Sequence, residues 1–128
     1  MANTILPGYM TPMGAKYLIT FDHTGPTSYV QGGVNAALTT GGDVIKASDI
    51  GVGGFDYLQS DVTDKTGQLY AFIVPVSGGG GNATPTAALL WYSRVTATVG
   101  GQAQTAGNQV VAGTNLSTFA LRIQAWCV

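Results

Sequence analysis

The sequence predicts an all-β protein, a single-domain antiparallel β-sandwich or jelly roll of about seven or eight strands. Its short segments alternate apolar and polar residues, which is the period of a strand with one buried face. Clusters of Gly, Pro, Asn, Asp and Ser separate these segments, as turns do. No window of about 11 residues shows helical periodicity. The 128 residues are enough to bury one hydrophobic core without metals or disulfides.

Residues 1–14 are predicted to form an extended arm ahead of a β-sandwich domain of residues 15–128. Two prolines and two glycines in the arm exclude a helix. The apolar side chains between them would be a liability in a free tail, so we expect the arm to lie against its own domain or against a neighbouring subunit. The candidate partner-binding residues are Ile5, Leu6, Tyr9, Met10 and Met13.

The first strand of the domain is predicted over residues 16–22, which place Tyr17, Ile19 and Phe21 on one side. A dense turn signal follows at residues 22–26 and contains the single histidine, His23. Residues 28–38 indicate a weaker strand that two glycines interrupt. Residues 43–51 favour an irregular strand or a turn over a helix, because Ser and Asp near their end offer side-chain acceptors to the local backbone.

A hairpin is predicted at the centre of the chain. Residues 55–60 alternate, residues 61–67 supply turn residues that end in a glycine, and residues 68–76 return as an apolar strand. Both faces of this returning strand are apolar, so we expect it to be covered on both sides. Pro75 lacks an N–H donor and places the end of the strand at a sheet edge or a bulge.

The second half begins with a glycine-rich loop over residues 77–86, which lacks the Lys-Ser/Thr and the helix of a phosphate-binding loop. Residues 87–99 alternate and predict one long strand, which Gly100 and its glycine neighbour should end in a turn. Val110 is expected to open another strand. The terminal strand should be a central or closing strand of the main sheet, paired on at least one side, because an unpaired apolar strand would leave backbone groups unsatisfied. Its predicted buried residues are Phe119, Leu121, Ile123, Ala125 and Cys127.

Charge is scarce in this sequence. Charged residues make up 9% of the chain, whereas soluble domains average about 25%. Either polar β-branched residues cover the outer faces of the strands, or much of the surface is buried against copies of the protein or a partner, where charge is depleted. The net charge of −1 and the absence of a basic stripe argue against nucleic-acid binding. No segment reads as a secretion signal or a membrane span, which predicts synthesis and retention in the cytoplasm.

The sequence nominates no catalytic, cofactor-binding or metal-binding residue, and we expect no enzyme activity and no cofactor. His23 has Asp22 beside it, but neighbours in an extended chain point to opposite sides and assemble no hydrolase site. Asp61, Thr63 and Asp64 come nearest to a calcium loop, yet a turn explains them. The single cysteine, Cys127, cannot form an intrachain disulfide and is predicted to be a small buried hydrophobe.

Five segments in the last two thirds of the chain resemble small virion proteins of tailed bacteriophages, of the decoration or cement type associated with capsids. Their shared ending is an AGTDLS motif followed by a strand, here with Asn115 in place of Asp. The likeness covers roughly residues 43–126. The segments are 46–51 (KASDIG), 55–58 (FDYL), 87–92 (AALLWY), 111–117 (VAGTNLS) and 119–125 (FALRIQA).

The resemblance implies a structural protein that stabilises the phage head by binding between capsomers. Its partners would be the major capsid protein and copies of itself, with no direct contact to nucleic acid or membrane. It would assemble in the host cytoplasm and reside on the capsid surface of the virion. The resemblance implies no active site.

Two alternatives stay open. A carbohydrate-binding or host-recognition module of a virion would use exposed rings, for which Trp91, Tyr92 and Trp126 are candidates. Exposure of either tryptophan in a concave patch would favour this alternative, and burial of both would count against it. A shell-forming coat protein is the other alternative, although the chain lacks a basic surface and a C-terminal helical pattern.

Overall fold

The computed structural model describes residues 2–13, 16–31, 43–76 and 86–127. Within these ranges the chain forms nine strands and a single 3-10 helix, so the predicted all-β class is confirmed. The strands are β1 (Ala2–Met13), β2 (Lys16–Thr24), β3 (Asp43–Lys46), β4 (Phe55–Ser60), β5 (Leu69–Val76), β6 (Thr86–Ser93), β7 (Ala97–Val99), β8 (Gln102–Gln104) and β9 (Ala120–Cys127). The 3-10 helix spans Ala47–Ile50.

The strands form a four-stranded sheet in the order β1-β2-β9-β4, a three-stranded sheet in the order β3-β6-β5, and the small hairpin β7-β8. All the pairings are antiparallel. The inward side chains of both larger sheets belong to one buried cluster, which is the arrangement of a β-sandwich. The bulkiest of the wholly buried side chains are Trp91, Tyr29, Phe21, Ile19 and Ile45.

The terminal strand is central, as the sequence predicts. β9 lies between β2 and β4; it pairs with β2 along its whole length and with β4 from Ile123 to Cys127. Leu121, Ile123, Ala125 and Cys127 are completely buried, whereas the alternate residues face outward. Phe119 is also buried, although it precedes the strand. Pairing on both sides satisfies the backbone groups of β9 and keeps an apolar strand away from a sheet edge.

The predicted hairpin between β4 and β5 is wrong. β4 pairs with β9 and β5 pairs with β6, so the chain crosses from one sheet to the other between them. In this connection the buried carboxylate of Asp64 accepts hydrogen bonds from the backbone N–H groups of Thr66 and Leu69, which satisfies part of the backbone of the turn.

The long strand predicted over residues 87–99 divides in two, because β6 ends at Ser93 and β7 begins in the small hairpin. The Ser93 hydroxyl donates to the carbonyl of Val95 and accepts from its N–H, which turns the chain locally. The turn predicted at Gly100 joins β7 to β8. No strand opens at Val110; its N–H donates to the carbonyl of Trp91, and the chain continues as an irregular segment.

β2 ends at Thr24, within the turn signal predicted at residues 22–26, but His23 itself lies in the strand and not in a turn. Residues 43–51 form β3 and the 3-10 helix, which Gly51 ends in the left-handed conformation. Residues 32–38 of the weak strand and residues 77–85 of the glycine-rich loop lie outside the described residues. Among the described residues, no helix is long and apolar enough to cross a membrane.

Candidate functional site

The five candidate partner-binding residues lie on β1, at the edge of the four-stranded sheet. Ile5 stands opposite Phe21, Met10 opposite Ile19, and Met13 at the end of the pairing. The N-terminal arm thus pairs along β2 of its own chain. Within the described ranges no strand pairs with the other edge of β1.

Leu6 and Tyr9, the remaining two candidates, lie in a bulge of β1. The register shifts between residues 5 and 10, so residues 6–9 stand opposite the single residue Thr20. Pro7 lies inside the bulge and Pro12 lies beyond it. Bulges and prolines on an edge strand interrupt the row of backbone donors, which disfavours the addition of another strand there.

A hydrogen-bonded cluster of four side chains, one from each of four strands, lies between the two larger sheets. His23 on β2 places Nε2 2.6 Å from Oδ2 of Asp43 on β3, and both side chains are 0% exposed. Trp91 on β6 donates its Nε1–H to the same oxygen over 3.1 Å. On the other side of the imidazole, Nδ1 lies 2.6 Å from Oδ1 of Asn3 on β1. This group joins β1, β2, β3 and β6.

The hydrogen bonds of His23 have the geometry of a structural contact within the core rather than of an active site. A hydrolase triad needs a nucleophile that the substrate can reach, whereas here the ring nitrogens of His23 contact an amide and a carboxylate in the interior. Asp43 Oδ1 is buried and has no hydrogen-bond partner among the residues that the structure describes. A buried polar pair of this kind depends strongly on both partners, because removal of one leaves an uncompensated polar group.

Sequence reasoning missed this contact although a signal for it exists. His23 continues the parity of Ile19 and Phe21, which face the core, and Asp43 shares the parity of buried Ile45. Polar residues on the apolar parity of two strands indicate an internal pair. Their mutual contact, however, depends on how the sheets are superposed.

Three aromatic rings form a cluster on the outer face of the three-stranded sheet. Tyr70 and Tyr92 stack with centroids 5.5 Å apart and planes 19° apart. Phe72 meets Tyr92 edge-on at 5.2 Å and Tyr70 at 5.8 Å. Phe72 is 56% exposed, so the predicted cover on this face of β5 is absent at Phe72, whereas Leu90 opposite it on β6 is buried. We call Tyr70, Phe72 and Tyr92 the three-ring cluster.

A second set of outward side chains crosses the four-stranded sheet. Tyr57 on β4 stands opposite Trp126 on β9, with ring centroids 5.2 Å apart and planes at 64°. The next outward pair along the same strands is Gln59 and Gln124. Beyond it lies a small pocket of about 120 Å³. Its lining residues are Gln59, Ser60, Asp61, Arg122 and Gln124.

The two tryptophans proposed as sugar-binding candidates therefore differ. Trp91 is completely buried and hydrogen-bonded, which excludes it as a surface platform. Trp126 is half-buried and packs against Tyr57, which is 58% exposed. The third candidate, Tyr92, is half-buried in the three-ring cluster.

Asp22 anchors two cations at the end of the four-stranded sheet. Arg122 donates from Nε to Oδ1 over 3.0 Å, and Lys65 donates to Oδ2. Burial by itself would raise the pKa of Asp22, but the hydrogen bonds and positive charges of Arg122 and Lys65 hold the pKa below its ordinary value of 3.8.

We expect Asp22→Asn to reduce the free energy of unfolding at neutral pH by at most about 1 kcal/mol, because Lys65 and Arg122 are partly exposed. The pKa of Asp22 is lowered on folding, so its stabilisation is present above about pH 4 and is lost as the pH falls through the folded-state value. Urea unfolding of both proteins at pH 7 and at about pH 2 should show the difference disappearing in acid. A difference that persists unchanged in acid would contradict this assignment.

Two further titratable side chains, Cys127 and Tyr29, are buried. Burial raises the pKa of the Cys127 thiol to about 11, which keeps it protonated and unreactive at neutral pH, and confirms the predicted buried position. Burial also raises the pKa of Tyr29 to about 12; its hydroxyl accepts the backbone N–H of Trp91. In the described parts of the chain no three His, Cys, Asp or Glu side chains gather as metal ligands. The carboxylate of Asp64 accepts hydrogen bonds from the backbone N–H groups of Thr66 and Leu69.

Comparison of the chain with protein-family models, with curated proteins and with solved structures found no match.

Proposed function

We propose that the protein is a structural component of a tailed-bacteriophage virion, a decoration or cement protein that stabilises the head by binding between capsomers. Its partners are the major capsid protein and copies of itself. The observation that carries the proposal furthest is the three-ring cluster, which leaves Phe72 more than half exposed on an outer sheet face. The sequence resemblance to small virion proteins is a second, independent support.

The three-ring cluster has the chemistry of a protein-protein contact. Aromatic residues are enriched in the energetically dominant centres of interfaces, where neighbouring contacts exclude water. The stacked pair of Tyr70 and Tyr92 holds Phe72 in a defined position, so little side-chain freedom would be lost on binding. Complete burial of a Phe side chain contributes about 1.5–3 kcal/mol relative to exposure, and Phe72 is partly buried already, so the gain on binding is a fraction of this.

The low charge of the surface fits the same role. Charged residues are depleted at the cores of interfaces, and this chain has 5 basic and 6 acidic residues in total. Two of the cations are already held by Asp22. We therefore expect binding to heads to depend little on salt, because screening acts mainly on exposed charges.

The candidate partner-binding residues on edge strand β1 remain a proposed contact with the capsid or with another copy of the protein. Its pairing with β2 changes how this should be tested, because deleting residues 1–14 would strip the edge from β2 and remove Asn3 from His23. A point substitution in the three-ring cluster is the cleaner experiment, since the Phe72 side chain projects into solvent.

Phe72→Ala is expected to weaken binding to expanded phage heads by about 10-fold or more, which corresponds to about 1.4 kcal/mol for each bound copy. Binding is measured by co-sedimentation of the purified protein with heads over a range of concentrations, in low and in high salt. The matched control is Tyr57→Ala, which removes a ring of similar exposure from the opposite sheet and should leave head binding unchanged.

Saturation at a fixed ratio per capsomer would support the decoration role. Failure of the unmodified protein to bind heads would overturn it, and equal binding by Phe72→Ala would remove the three-ring cluster from the interface. A shell-forming coat protein would instead assemble into closed particles by itself, which light scattering of the purified protein detects.

A further inference from the structure

The outer face of the four-stranded sheet carries a ladder of three successive rungs. The ring pair Tyr57 and Trp126 forms the first rung, and the amide pair Gln59 and Gln124 forms the second. Arg122 forms the third at the pocket, opposite Asp22. Rungs on one face are two residues apart, about 7 Å along the strand, so the ladder extends over about 14 Å.

We propose that this ladder is a binding site for a neutral oligosaccharide. The proposal concerns a different sheet from the three-ring cluster and does not depend on head binding.

The first rung suits the apolar side of a sugar ring. Tyr57 is 58% exposed and is braced by Trp126, whose centroid lies 5.2 Å away. Aromatic side chains present a flat apolar surface together with a polar group at one end. A sugar has the matching character, since its C–H groups cluster on one face and its hydroxyls project around the rim.

The second rung suits the hydroxyls. Each carboxamide offers an NH₂ donor beside a carbonyl acceptor, and adjacent hydroxyls of a sugar each donate and accept. Gln59 and Gln124 are both exposed and stand directly opposite each other. Two amides one rung from a ring pair provide the few convergent polar groups that orient a ligand on an aromatic surface.

The third rung limits the charge of the ligand. Arg122 is already engaged by Asp22, and the carboxylate of Asp61 lines the same pocket. With Lys65 also on Asp22, the two cations of this end face two carboxylates, so the site has no excess positive charge for an acidic sugar. The Asp22 contact also fixes the guanidinium before binding, which reduces the ordering cost.

The experiment is a titration with oligosaccharides that is monitored by ¹H–¹⁵N correlation spectra. The protein has two tryptophans, one on the ladder and one in the core, whose indole N–H resonances report on the two places separately. The probes are cellotetraose, maltotetraose, chitotetraose and the acidic tetragalacturonate, each up to about 10 mM, a range that detects weak binding. At least one neutral probe should shift the indole N–H resonance of Trp126. The resonance of Trp91, which is bonded to Asp43, should stay in place.

Substitutions distinguish an effect on sugar binding at the ladder from an effect on folding. Tyr57→Ala should weaken the affinity for the bound neutral probe by about 10-fold, and Gln124→Ala by several-fold. Phe72→Ala is the matched control and should bind as the unmodified protein does. An unshifted Trp91 resonance in each variant shows that the core is intact.

Three results would overturn the proposal. The first is that no neutral probe shifts Trp126; the second is that the shifts are unaffected by Tyr57→Ala; the third is that only tetragalacturonate binds. If no sugar binds and Tyr57→Ala instead weakens binding to phage heads, the ladder is a protein contact. Sugar binding without head binding would leave this site standing and the decoration role refuted.

Discussion

Asp43→Ala should lower the free energy of unfolding by about 3–5 kcal/mol, a large part of the stability of a small domain. The substitution removes the acceptor of two buried donors, His23 Nε2–H and Trp91 Nε1–H. Neither donor has access to water in its place, because both side chains are completely buried. The loss should appear as a lower midpoint in urea unfolding with little change in its slope.

Asp61→Ala is the matched control for Asp43→Ala, since it removes an exposed carboxylate and should change stability by less than about 0.5 kcal/mol. Asp43→Asn keeps an oxygen that can accept from both donors but removes the negative charge, so its loss of stability should fall between those of Asp61→Ala and Asp43→Ala. His23→Ala combined with Asp43→Ala should cost less than the sum of the single changes, because the two residues share one contact. A loss below about 1 kcal/mol for Asp43→Ala would show that the buried pair does not hold the sheets together.

Gly100→Ala should destabilise the protein by about 3 kcal/mol or more, because it combines an unfavourable backbone conformation with a steric overlap. Gly100 has φ +59°, a left-handed conformation that costs a side chain about 1–2 kcal/mol. An added Cβ would also overlap the carbonyl oxygen of Asn115 and lie 2.5 Å from Thr114 Cγ2. The backbone there cannot move freely, because the Asn115 N–H donates to the carbonyl of Gly100.

Gly101→Ala provides the control for Gly100→Ala. Gly101 has φ +82°, but an added Cβ would meet no atom within 4 Å. It should therefore show the conformational cost alone, about 1–2 kcal/mol. Thermal unfolding of both variants measures the difference, which reports the packing of the β7-β8 turn against residues 114–115. Equal losses for the two variants would mean that this contact is not tight.

The candidate surfaces were only partly predictable. The sequence points to Trp91, Tyr92 and Trp126 as ring candidates, and the structure buries the first and leaves the other two half-buried. Tyr57 and Phe72, the most exposed rings of the two surfaces, carry no such signal. Both lie on alternating strands that look amphipathic or buried from sequence. Their exposure depends on which strands flank them, and alternation does not encode this.

The burial of His23 and Asp43 could be predicted from parity, but their contact could not, for a related reason. His23 and Asp43 are 20 residues apart and lie in different sheets. Parity places each side chain toward the core, but the contact between them requires the superposition of two sheets. The same superposition places the indole N–H of Trp91 within hydrogen-bonding distance of the Asp43 oxygen that His23 contacts.

The sequence by itself determined the all-β class, most of the strand positions and the buried side of β9, because alternation is a local property of an extended backbone. Only the tertiary structure decided which strands pair. β4 pairs with β9 and β5 pairs with β6, although β4 and β5 are consecutive in the chain. Pairing is set by contacts between distant segments, and these contacts also decided which aromatic rings became core and which became surface.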